Sequence, residues 1–349
     1  MRANPTPRQI LAGLLQGIPP PRPLWLPIVF SLGARMENLP LGAFLKNATK
    51  ISNSLKQICG HVRSDGVSCY FDPYLEAEAL GGVLEWDTET QRPALRWPGH
   101  THQGELPGNL HSTEEAMKRG RVAVALEVIR RLKSLLRDDS LLTAGVTGPF
   151  TLAARLTQSE PEPSLEFEHL PEAALEVAGS MMTKLSAAFA EAGANLIFIQ
   201  EDVVPRLTAE RCEEWASRLE PAFNIVRFYQ ALPVLLLTDS LSLAESRDMI
   251  FQQHWDCVVC ETLDLPLTSA AQAGDTLRGV ALPPEVFQPK NDEKDLNMIL
   301  SDVMMSESRP AIVTTAGEVP PGADMKRVIR ISESVRSFET VHGPGGSED

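Results

Sequence analysis

Aromatic residues are scarce in this chain, at 6% of 349 residues, and cysteines number only five. An odd cysteine count excludes a complete disulfide framework. No apolar run approaches the 18 or more residues that a membrane span requires. The apolar stretch ILAGLLQGI (10–18) is short and runs into PPPRP with no small-residue cleavage site, so no secretory signal is read there. Basic charge is in deficit, with 32 Lys and Arg against 46 Asp and Glu and a net charge of −14. Nucleic acid therefore meets an adverse average field, and the charge otherwise serves solubility. No GxGxxG follows any apolar run, and no repeat at a solenoid period is found. The expectation from these absences is a reduced, cytoplasmic, enzyme-sized protein.

Hydrophobic residues make up 43%, enough for a sizeable core. Eight short apolar runs recur, at 22–30, 66–72, 140–148, 195–202, 232–239, 257–262, 276–283 and 309–317. Each has strand length and is apolar on both faces, as buried parallel strands are. Helical patterns lie between or after them at 114–136, 171–193, 208–232 and 321–338. Pro171 suits the first turn of its helix and Gly193 its end, while Thr208 is a cap for a helix that Pro221 should kink or split. Eight strands alternating with helices predict a (β/α)8 barrel as one domain over 1–340, with a doubly wound sheet as the alternative. A polar, Pro/Gly-rich insertion at 84–112 reads as a lid or binding loop. It carries His100 and His102, read as a polar loop pair, between Trp86 and Trp97. The tail 341–349 reads as disordered.

The stretch HWDCVVCE (254–261) looks like a metal motif, yet it falls where the sixth barrel strand is needed. On a strand, residues three apart face opposite ways, so Cys257 and Cys260 cannot share an ion or a disulfide. Cys260 and Glu261 remain at a strand's C-terminal end. Barrel active sites lie at such ends. There the sequence sets Arg35, Tyr70, Asp72, Thr147, Phe150, Arg155, Gln200, Glu201, Asp202, Asp239, Cys260, Glu261 and Glu318. Carboxylates from several strands repel one another, which raises pKa values, attracts cations or recruits arginine. Glu201 and Asp202, being adjacent, cannot both point into the barrel. Glu201, Asp239, Cys260 and Glu261 form a mixed oxygen and sulfur set that suits zinc.

The stretches DPYLEAEALGG (72–82), GVTGPFTLAARL (145–156), EAGANLIFIQED (191–202) and TTAGEVPPGADMKRV (314–328) resemble the uroporphyrinogen decarboxylase superfamily over nearly the whole chain. The resemblance implies a distorted (β/α)8 barrel, a small-molecule substrate and a homodimer. Asp72 matches the aspartate that both the decarboxylases and the methyltransferases of that superfamily place after strand 2. Decarboxylases carry two arginines after strand 1; here FSLGAR offers only Arg35, and the family's tyrosine and histidine positions fall near Arg155 and Gly317. The thiol-activating methyltransferases hold zinc through a His-x-Cys and a later cysteine; Leu237, Asp239 and Gly317 stand at those positions, so that zinc site is not expected. The resemblance then implies a methyltransferase or demethylase. It would take a methyl group from an O-, S- or N-methyl compound and hand it to a corrinoid protein or tetrahydrofolate, with Asp72, Glu201 and Asp239 as catalytic candidates. Tyr70, Thr147, Phe150, Arg155, Gln200, Cys260, Glu318 and Arg35 are the binding candidates. A decarboxylase of uroporphyrinogen or a related acid is one alternative, and a barrel that binds without turnover is the other.

Overall fold

The computed structural model describes residues 5–87, 93–99, 104–136, 140–157, 170–202, 208–238, 249–261, 276–288, 300–301, 310–320 and 322–337. All eight predicted strands are present: β1 (Leu24–Trp25), β2 (Gly66–Tyr70), then, after a hairpin of β3 (Val83–Trp86) and β4 (Pro93–Arg96), β5 (Leu141–Thr147), β6 (Leu196–Glu201), β7 (Leu232–Leu237), β8 (Cys257–Glu261), β9 (Leu277–Leu282) and β10 (Ile312–Thr315). They pair in parallel in the order β1-β10-β9-β8-β7-β6-β5-β2, a nearly closed barrel. The hairpin is antiparallel and stands apart; it builds the start of the insertion that the sequence marks only as a loop.

No ladder joins β1 to β2, and Asp65 spans that seam instead. Its backbone N–H donates to the Trp25 carbonyl at 2.9 Å. Its side chain, wholly buried, accepts from Arg22 at 2.6 and 2.9 Å and from the Trp25 N–H at 2.8 Å. Arg22 also donates to the Pro23 carbonyl. A buried aspartate with this many donors is matched in charge and in hydrogen bonds, which is the condition for a buried ion pair to be tolerated.

The strands' alternation sorts the core into two layers. Leu196, Phe198, Leu232, Val234, Leu236, Cys257 and Val259 fill the barrel interior. Helix α1 (Pro7–Leu14), which starts with a capping box between Thr6 and Gln9, closes the interior's lower end with Ile10, Leu11 and Leu14. Ile197, Ile199, Leu235, Leu237, Val258 and Cys260 face outward to the helices. Cys257 and Cys260 thus lie in different layers, as their spacing requires.

Around the barrel run α2 (Leu32–Met36), α3 (Leu41–Phe44), α4 (Ala48–Val62), α5 (Leu75–Ala79), α6 (Thr113–Ala116), α7 (Val122–Leu136), α8 (Pro149–Leu156), α9 (Glu172–Ala192), α10 (Ala209–Phe228) and α11 (Met325–Ser337). Three expectations change. The helix predicted over 114–136 breaks between α6 and α7, where Gly120 adopts a positive φ that other residues rarely take. Pro221 does not split α10: it sits on the exposed face, where water can meet the carbonyl its missing N–H leaves free. Pro171 is the cap of α9 rather than its first turn, while Gly193 ends that helix at φ 117° as expected. No helix among the described residues is long and apolar enough to cross a membrane.

Candidate functional site

The turn between β5 and α8 has the sequence Thr147-Gly148-Pro149-Phe150-Thr151. Pro149 fixes the first helical residue, and Gly148 precedes it as cap. Glycine is required there because a Cβ on residue 148 would land inside the Glu201 carboxyl group. That carboxylate accepts from the Phe150 N–H at 3.0 Å, the Thr151 N–H at 2.8 Å and the Trp215 indole at 3.3 Å. Glu201 is wholly buried, and burial pushes its pKa up to about 7 against the pull of these hydrogen bonds.

Beside this turn, at the C-terminal ends of β2, β5 and β6, lies a narrow cleft, open on one side, with room for about one water molecule as it stands. Its walls are Phe71, Asp72, Pro73, Gly145, Val146, Thr147, Arg155, Gln200 and Asp202. Gly145 permits this shape, since a side chain there would strike the Phe71 ring. Asp72 pairs with Arg121, whose Nε also donates to Glu78 at 2.6 Å. Arg155 pairs with Asp202, donates to the Pro73 carbonyl at 2.5 Å, and lies 5.4 Å from the centre of the Tyr74 ring. Gln200 donates to Asp202 at 2.6 Å. Beneath them Glu76, 1% exposed, accepts from the Thr147 N–H at 2.7 Å and its hydroxyl at 3.0 Å. Burial raises the pKa of Glu76 and of Glu78, and lowers that of Arg121.

Of the residues picked from the sequence, the structure therefore brings Asp72, Thr147, Arg155 and Gln200 together. Asp202 joins them, and Glu201 turns the other way, so the two adjacent carboxylates do point to opposite faces. Tyr70, Phe150 and Cys260 do not reach the cleft: all three are buried in the helix-facing layer. Tyr70 donates its hydroxyl to the Leu45 carbonyl at 3.0 Å. Glu318 accepts from the Phe30 N–H at 3.0 Å and from the Ser31 N–H, tying the segment after β10 to the start of α2. Arg35 is exposed on α2 and lines no wall of the cleft. Asp239, His100, His102 and the tail lie outside the described residues.

Of the mixed metal set, Asp239 lies outside the described residues, and the other three do not converge. Cys260 and Glu261 are consecutive in β8 and face opposite layers, and both oxygens of Glu201 are engaged by α8. Among the described residues no three His, Cys, Asp or Glu side chains gather as metal ligands. Leu237 is packed outward in the apolar layer and Gly317 has no side chain, so neither offers a ligand at the usual thiol-activating zinc positions; Asp239, the third, lies outside the described residues.

The partners that spacing did not reveal are Arg121, Glu76 and Asp65. Arg121 lies 49 residues from Asp72. Its signal was the Arg-Gly-Arg of 119–121, where a helix pattern meets a glycine and the chain can turn a cation inward.

Compared with known proteins, the chain matches the family model described as uroporphyrinogen decarboxylase (URO-D) over residues 6–337. It is 27% identical over 209 residues to a methylated-thiol–coenzyme M methyltransferase of Methanosarcina mazei. That match takes in 55% of this chain and spans about half, 51%, of the relative. Among solved structures it superposes on a methyltransferase from Methanosarcina mazei with a TM-score of 0.76 at 18% identity, covering 96% of this chain and 99% of the other. At that identity the superposition speaks for the fold.

Proposed function

Because the chain belongs to the uroporphyrinogen decarboxylase family, we propose that it is a methyltransferase of that family, acting on a small O-, S- or N-methyl compound bound in the cleft beside Asp72. One observation carries this reading. Each arginine on or directly behind the described cleft wall is already matched, Arg121 by Asp72 and Glu78 and Arg155 by Asp202. A substrate with four acetate groups needs unmatched cations, whereas a neutral methylated compound needs an apolar floor and a few hydrogen bonds. Phe71 supplies the floor, and Thr147, Gln200, Asp72 and Asp202 supply the hydrogen bonds.

Methyl transfer breaks the bond from carbon to oxygen, sulfur or nitrogen and leaves the electron pair on the departing atom. That atom then takes a proton. Asp72 and Asp202 hold the substrate's polar end, or a water that delivers the proton, while Arg121 and Arg155 keep both carboxylates in place. When bound, a corrinoid protein or tetrahydrofolate would supply the nucleophile that receives the methyl group. Glu201 is wholly buried and does not line the cleft, so it has no such role.

The test is an assay of the purified protein with methoxyarenes, methylated thiols and methylamines, each with reduced cobalamin as acceptor. Methylcobalamin formation from at least one of them is expected, together with no conversion of uroporphyrinogen. Decarboxylation of uroporphyrinogen without methyl transfer overturns the reading, since Asp72 also stands where a decarboxylase needs its aspartate. Tight ligand binding without any turnover overturns it in favour of a binding protein.

A further inference from the structure

The Thr147–Thr151 turn is held from two sides. Glu76 on α5 takes the Thr147 N–H and hydroxyl, Glu201 at the end of β6 takes the Phe150 and Thr151 N–H groups, and the Gly148 N–H donates to the Gln200 carbonyl at 2.7 Å. Pro149 has no N–H, so every backbone donor of the turn is committed. Four of these contacts end on two buried carboxylates, which is more than a helix start needs when one capping side chain suffices.

We infer that Glu76 and Glu201 are positioning residues, a two-carboxylate clamp that sets α8 and with it the Arg155–Asp202 wall of the cleft, and that loss of charge on Glu201 shifts that wall. An ionised carboxylate offers acceptors on both oxygens. A protonated one presents a hydroxyl to one of the N–H groups and weakens that bond. The link from clamp to wall is short: Thr151 accepts from the Asp202 N–H at 3.0 Å, and Arg155 follows one turn along α8. The groups that face Glu201 are the Trp215 indole on α10, Phe150 and Thr151 on α8 and Gly148 of the turn, and none of them is charged. Its proton affinity is set by burial and hydrogen bonds rather than by a facing ion. Near neutral pH the two forms of Glu201 coexist, so the wall position responds to small changes in pH.

The relevance of the wall to substrate rests on the proposed function, but the movement of α8 does not, and it has its own reporter. Trp97 is remote from Glu201, and its indole N–H donates to the Arg155 carbonyl at 3.0 Å. With 15N-labelled tryptophan, the indole N–H resonances of Trp215 and Trp97 are followed from pH 5 to 9 in the wild-type chain and in Glu201→Gln. In the wild type, both resonances are expected to shift with one shared midpoint near pH 7. In Glu201→Gln neither titrates, and the Trp97 resonance stays displaced. A Trp97 resonance that is invariant with pH in the wild type overturns the inference, even where the variant does not fold. A Trp215 shift without a Trp97 shift makes Glu201 a local cap only and also overturns it. Failure of methyl transfer leaves the tryptophan result untouched.

Discussion

Two buried arginine–aspartate pairs sit at opposite ends of the same barrel, and they differ in what surrounds them. At the lower end Arg22 and Asp65 join β1 to β2 with two side-chain hydrogen bonds and a third from the Trp25 N–H. At the upper end Arg121 and Asp72 sit beside a cleft, with a second carboxylate, Glu78, on the same guanidinium. The lower aspartate faces two arginines, Arg22 and, at 3.9 Å, Arg336, so there the basic side chains outnumber the acidic one, and the group serves closure. The upper group carries more acidic than basic side chains, and burial pushes Glu78 toward its neutral form. Position decides the reading, since barrels carry stability at the lower face and chemistry at the upper one.

The comparison breaks if the lower pair proves dispensable. Asp65→Ala leaves Arg22 buried without its counter-charge, and the expected loss is about 3–5 kcal/mol in urea unfolding. A loss under about 1 kcal/mol would mean the seam closes without it. Gly148→Ala forces a methyl group into the Glu201 carboxyl, and overpacking of that kind costs about 1–3 kcal/mol, read as a fall in the unfolding midpoint. Unchanged stability would show that the turn is looser than its hydrogen bonds imply.

Glu201→Gln removes one acceptor from a set of three donors, about 1–3 kcal/mol. Its pH dependence has a definite sign. The carboxyl binds its proton more tightly when folded, with a pKa near 7 against the ordinary 4.5, so its contribution is fully present below about pH 4.5 and lost as pH rises through about 7. The wild type should therefore lose stability relative to Glu201→Gln between pH 5 and 8, by a few kcal/mol at most. A flat profile would place the carboxylate in a far wetter site, and the opposite slope would mean that its hydrogen bonds outweigh burial. The smallest effect is expected from Arg35→Ala, within about 0.5 kcal/mol, because the side chain is exposed. A large loss of stability there would reveal a contact across the mouth.

The barrel was legible because parallel strands buried on both faces read as apolar runs. The same property hid the site. When both faces of β6 are apolar, Leu196-Ile197-Phe198-Ile199 does not say which parity looks inward, so Gln200 and Glu201 could not be told apart until the interior was known. From the strand end alone Glu201 reads as a mouth residue, whereas its structural partners, Gly148 and the Phe150 and Thr151 N–H groups, come from another strand's turn. Cys260 misled for the same reason. Asp72 is legible as a strand-end residue because strand ends mark themselves by a change from apolar to polar residues, and it does line the cleft. Its partner Arg121 is not legible, because an ion pair between two connecting segments leaves no periodicity.

The central claim is that the upper pair acts on substrate while the lower one only holds the barrel. Methyl transfer to reduced cobalamin and unfolding free energy, measured together for Asp72→Asn and Asp65→Asn, test it most directly. Asp72→Asn should lose at least tenfold in transfer rate and remain folded through the unfolding transition's ordinary range, whereas Asp65→Asn should lose stability and keep the rate of whatever fraction is folded. Transfer at the wild-type rate by Asp72→Asn would contradict the account.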